Sequence, residues 1–269
     1  MGSQTGAVTL MTKLPVEYYA VLRKPLESGR QSPKKLAEAF LLSVPIVWLL
    51  YLVTFTVASD STNYPNVEKI RSTQFIMTVV VSILGIIFSF PSIYRKTGWL
   101  QYAYSVLLAQ FTFTVYPFIS AFFIMGQQEN ASREILIKLT YYAIILGILV
   151  LLVTSIRFSI LLRKGAYKKG SSRDETRSKF ENKSYIPIAI VASTGFVLIM
   201  QYAIRKIQFV SLEDAILTYL PLLICYVSVF VLPEQIVITY CKIRFKAFNY
   251  NSRGYLHDIE KIELKRKNV

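Results

Sequence analysis

The sequence predicts an all-α integral membrane protein with six transmembrane helices, both termini cytoplasmic, and short amphipathic cytoplasmic helices at one or both ends. Three observations carry that expectation. Of 269 residues, 53% are hydrophobic and only 17% charged, against about 25% charged in an average soluble domain. The apolar residues fall in long unbroken runs instead of interleaving with polar ones. The basic residues collect on alternate connections between those runs.

A helix needs about 20 apolar residues to cross a hydrocarbon layer about 30 Å thick. Six stretches qualify: 37–58, 74–93, 99–124, 139–161, 184–204 and 215–240, the last ending between Val231 and Tyr240. The first is too long for a signal-peptide core and has no small-residue cleavage pattern, so it is expected to remain as a span. The chain therefore divides into a cytoplasmic N-terminal segment 1–36, a transmembrane domain 37–240 with a basic cytoplasmic loop 162–183, and a basic tail 241–269.

The N-terminal segment is polar, and prolines at 15, 25 and 33 chop any helix in it into short pieces. Residues 16–24 are mildly amphipathic and suit the membrane interface or a loose tail. Pro117 and Pro221 lie well inside their runs and are expected to kink them. The loop after the fourth run, with Gly165, Tyr167, Lys168, Lys169, Gly170 and Ser171, reads as a flexible linker without a core of its own. In the tail, Leu256, Ile259 and Ile262 recur every three residues and suggest a short helix that must dock on something to be stable.

Orientation follows from charge, because basic loops are retained on the cytoplasmic face. One side of the spans receives 25 Lys and Arg residues and nine acidic ones, the other six of each. Both termini fall on the basic side, which is therefore expected to be cytoplasmic, with the cell membrane as the setting. Anionic lipid headgroups are the expected partner of this face, met first by Arg163, Lys164, Lys168 and Lys169, alongside a membrane or cytoplasmic protein. Nucleic acid is not expected, since the basic clusters flank spans and carry no nucleic-acid-binding signature.

Candidate chemistry is sparse. The one histidine, His257, is in the tail, and all four aspartates lie outside the spans. No span contains a buried Lys to activate a serine, no span offers two metal-ligand residues apart from Cys225 and Glu234, and no glycine-rich phosphate loop occurs. No catalytic residue, metal or cofactor is assigned, and Cys225 and Cys241 read as two unpaired thiols. Three polar residues in the runs remain. Gln110 and Gln201 are expected to make interhelical hydrogen bonds. Glu234 either marks an intramembrane pathway or, if Pro233 starts a new interfacial helix, sits near that helix's N-terminus, where its charge is stabilised. The second is preferred.

These readings favour a non-enzymatic accessory, assembly or immunity-like membrane factor. The alternative is a permease subunit partnered with a separate ATPase, a plan that six spans and in-span prolines would suit.

Overall fold

The computed structural model describes residues 14–128, 131–176, 212–251 and 254–258. Among them it holds five helices long and apolar enough to cross a membrane, and no strand. The run 184–204 with its Gln201, and Ile259 and Ile262 of the tail, lie outside the described residues.

Helix α1 (Pro33–Leu52) starts where Ser32 stands extended and its hydroxyl accepts from the Lys35 amide at 3.4 Å. Pro33 occupies the first turn, where its missing N–H has no intrahelical acceptor to lose. The helix runs past Pro45 and continues as a π-helical turn, Val53–Ala58. Helix α2 (Val67–Ser89) stops earlier than its apolar run, because Pro91 holds Phe90 extended at ψ 128°. The residues Pro91–Tyr94 form a separate short turn of helix.

Helices α3 (Gly98–Gln110) and α4 (Tyr116–Met125) join through a π-helical turn, Phe111–Val115, into one 28-residue rod. Pro117 sits in the first turn of α4 directly after that π turn, so the helix changes winding there to absorb the absent amide hydrogen. Helix α5 (Arg133–Arg163) is capped by the Ser132 hydroxyl on the Ile135 amide at 3.3 Å, six residues before the apolar run begins. Helix α6 (Leu212–Arg244) passes through both Pro221 and Pro233 and ends beyond the run that marked it.

Helix α1 lies along α2, and α6 packs on α3, α4 and α5. Apolar burial drives little helix association in lipid, so close packing and hydrogen bonds hold spans together. Both are present. Phe40 meets Tyr104 edge-on at 4.8 Å between centroids, and Phe55 meets Phe123 at 5.7 Å. The Thr78 hydroxyl pairs with the Tyr116 hydroxyl at 2.6 Å, and Thr54 with Ser120 at 2.8 Å. The outward faces, Leu149, Val153 and Ile156 of α5 among them, are exposed and apolar, as lipid contact requires.

Helices α5 and α6 run in the same direction. Near the start of α5 the Ala143 carbonyl accepts from the Tyr226 hydroxyl at 3.1 Å, and near its end Phe158 and Leu162 share a cluster with Val237 and Ile238. Both helices therefore finish at one end of the bundle, where Lys24, Arg95, Lys96, Arg163 and Arg244 also gather, and which is called the basic end below.

Candidate functional site

Three segments far apart in sequence fold over the basic end into one cap. The first is the 3-10 helix Val16–Arg23, whose Tyr19, Val21 and Leu22 are completely buried. It docks on protein, so the loose-tail alternative for 16–24 is corrected. The second is the turn after α5. There the Tyr167 carbonyl accepts from the Val21 amide at 2.9 Å, and the Tyr167 ring is buried beside Phe158 at 5.0 Å. Gly165 and Gly170, with φ of +75° and +80°, make the reversals that place Tyr167 inward, conformations that β-carbon-bearing residues adopt at a cost. The linker reading of 165–171 is corrected accordingly. The third segment is the tail, in which Ala247 and Phe248 are buried and the Asn249 amide closes the end of α6 on the Lys242 and Phe245 carbonyls.

Polar contacts lock the three segments together. Lys24 Nζ pairs with Asp174 Oδ1 at 2.5 Å, Arg23 donates to the His257 carbonyl at 2.8 Å, and the Tyr250 hydroxyl donates to the Leu26 carbonyl at 2.6 Å. Leu256 bridges to Tyr250 as extended backbone, so the helix expected to begin at Leu256 does not begin there.

Burial opposes ionisation of Asp174, but the Gly170 amide and the Lys24 ammonium outweigh it and hold the carboxyl below the usual range. The folded value is depressed relative to the unfolded chain. The stabilisation it brings is therefore complete above about pH 4 and lost as pH falls through the lower, folded value. Protease sensitivity of the cap should rise on acidification through this range in the wild type. In Asp174→Asn that acid-dependent step should be absent.

Of the four lipid-contact candidates, Arg163, Lys164 and Lys169 are exposed on the cap. Lys168 instead lies over the Tyr18 ring, 3.9 Å from its centroid, and helps fasten the N-terminal segment.

Among the described residues, two cavities open at the basic end. The larger, about 660 Å³, lies between the starts of α1 and α3 and the end of α6. Lys34, Arg95, Lys96 and Lys242 line it together with Trp99 and Tyr250, and among the described residues no carboxylate does. Lys242 is 4% exposed, donates to the Phe248 carbonyl at 3.1 Å and stands 5.4 Å and 5.6 Å from the Tyr102 and Tyr250 ring centroids. Sequence reasoning missed it by placing Lys242 in a basic tail, 241–269, with no buried position assigned. The signal was present, since Lys242 falls four residues after the buried Ile238 and so on the inward stripe of α6.

The smaller cavity, about 240 Å³, lies between α5, α6 and the cap, and Glu234 lines it with Arg157, Arg173 and Tyr167. The chain does not break at Pro233, so the helix-start role preferred for Glu234 is corrected: the carboxylate is in helical interior, half-buried and ten residues before the helix end. Its neighbours in the cavity are guanidinium groups, and Arg173 also donates to the Tyr167 hydroxyl. Gln110 bridges helices, donating to the Ser228 carbonyl at 3.4 Å and accepting from the Thr114 hydroxyl at 2.8 Å. Cys225 and Cys241 are both free and buried. No family model, curated protein or solved structure matches this chain.

Proposed function

We propose that the chain is a six-span membrane protein with both termini in the cytoplasm, and that it works without enzymatic chemistry, as an accessory or assembly factor presenting its folded basic cap to a partner. One observation carries this reading: segments from the N-terminus, the loop after α5 and the tail fold into a single cationic cap at one end of the bundle. An ordered surface of this kind suits recognition, whereas loops serving only as topology signals need no buried core.

Two features support the sixth crossing and the shared side of the termini. Helices α5 and α6 are parallel neighbours, and two parallel spans in sequence require the chain between them to return across the bilayer. The N-terminal segment touches the tail directly through Arg23 and Tyr250. The lopsided basic count then favours the cytoplasm for that end, and the cell membrane suits a chain of this design.

The permease reading draws on the π-helical turns, which often mark functional sites in helices; Thr54 of the first pairs with Ser120 of α4, five residues past the second. Purification in mild detergent separates the two. A stoichiometric partner without nucleotide-hydrolysing activity, released when Arg163, Lys164 and Lys169 are changed to Gln, is the expected result. A stoichiometric ATP-hydrolysing subunit would overturn the accessory reading in favour of the permease.

A further inference from the structure

The larger basic-end cavity has the chemistry of an anion site. Four cationic side chains from three separate parts of the chain converge on it: Lys34 on α1, Arg95 and Lys96 in the turn before α3, and Lys242 on α6. None of the four is ion-paired among the described residues. Three of them are exposed, and water screens them.

Lys242 is different. Its ammonium is almost fully removed from solvent, and its only hydrogen bond among the described residues goes to one neutral carbonyl, so two of its three donors remain for another group. A buried cation without an anion is costly, and evolution keeps such a group chiefly where something pairs with it.

The backbone points the same way. The first turns of α1 and α3, at Pro33 and at Gly98 and Trp99, both line the cavity. Pro33 has no N–H and Ser32 caps the Lys35 amide, so α1 offers the Lys34 amide and α3 the Gly98 and Trp99 amides, each at the positive end of a helix dipole. Trp99, Tyr94 and Tyr250 supply amphipathic rings of the kind that sit at headgroup depth.

We propose that this cavity binds a phosphate group, with Lys242 at its base and Lys34, Arg95 and Lys96 at its mouth, carried by an anionic lipid headgroup or by a small phosphorylated solute. The site does not depend on whether the protein is an accessory factor or a permease. Its lipid form requires the basic end to lie at headgroup level, whereas its soluble form does not.

The experiment uses the full chain in nanodiscs and reads the thermal midpoint, because a ligand that binds only the folded state raises it. Phosphatidylcholine discs give the baseline, discs containing phosphatidic acid supply the headgroup, and inorganic phosphate added to phosphatidylcholine discs supplies the free anion. Phosphatidic acid is expected to raise the wild-type midpoint by about 5 °C, with the preference surviving salt that screens exposed charges. Lys242→Met should abolish the rise while leaving the baseline midpoint unchanged or higher, since it removes an unpaired buried charge.

If that variant does not fold, Arg95→Gln with Lys96→Gln, both exposed, should reduce the rise by half or more. Stabilisation by phosphatidic acid alone assigns the site to a lipid, and stabilisation by inorganic phosphate as well assigns it to a soluble phosphorylated compound. Absence of both effects in the wild type, or their persistence in the cavity variants, would overturn the proposal.

Discussion

Phe248→Ala is expected to detach the tail from the cap at a cost of about 3 to 5 kcal/mol, the range for removing a fully buried aromatic ring. Phe248 has no exposed surface, packs in the cluster of Tyr19, Leu22 and Cys241, and lies near Arg23 at 6.0 Å from its ring centroid. The spans keep their own contacts, so the loss should read as local opening. Trypsin should cut wild-type protein slowly around Lys246 and the variant at least tenfold faster, with the helical content of the bundle unchanged. Tyr255→Ala, at a residue 70% exposed in the same tail, should leave the rate within twofold of wild type.

The second large effect is expected within the bundle. A methyl group at Gly85 would stand 2.8 Å from the Tyr104 hydroxyl, a distance that real Cβ atoms do not tolerate. The ring cannot easily retreat. Its hydroxyl donates to the Val81 carbonyl at 2.7 Å, and Phe40 and Phe88 pack on it at 4.8 Å and 5.3 Å. Gly85→Ala should therefore lower stability by about 1 to 3 kcal/mol, the usual cost of overpacking. Removing the hydroxyl should relieve the clash, because the next ring atom lies 3.7 Å from the added carbon, an ordinary contact. In a double-mutant cycle, Gly85→Ala should then cost less in a Tyr104→Phe background than alone. Equal costs in both backgrounds would reject a close α2–α3 approach at this point.

The helical class and the described spans were legible because lipid imposes a length of apolar sequence that few other environments demand. Span ends were less legible, for a physical reason. Hydropathy marks where side chains meet lipid, whereas a helix ends where its backbone hydrogen bonds stop. Thus α5 begins at Ser132 and its cap, not at the first apolar residue, and α2 ends at Phe90 because Pro91 follows. Pro233 misled in the opposite sense. A proline removes one amide donor, and a helix packed on three neighbours continues through that loss.

The cap was the least legible part. Its core comes from positions more than 200 residues apart, as in the Arg23 to His257 and Tyr250 to Leu26 contacts, and local periodicity cannot report such pairings. Tyr167 was the available clue. A single large aromatic between two glycines in a polar basic stretch is poorly suited to a solvated linker, and here it anchors the cap. Lys242 was hidden by its own sequence neighbours, since Lys242, Arg244 and Lys246 look alike in sequence and only the first is buried.

The proposed orientation puts the basic cap and both chain ends in the cytoplasm and the connections at residues 59–66 and 126–132 outside. Single cysteines tested with a membrane-impermeant maleimide, in a background with Cys225 and Cys241 replaced, address it most directly. Asn63, Gln128 and Ser172 are all exposed, so access depends on the side of the membrane alone. Cysteine at Asn63 and at Gln128 should label in intact cells, and cysteine at Ser172 should label only after permeabilisation. Labelling at Ser172 in intact cells, with Asn63 and Gln128 protected, would contradict the orientation and with it a cytoplasmic cap.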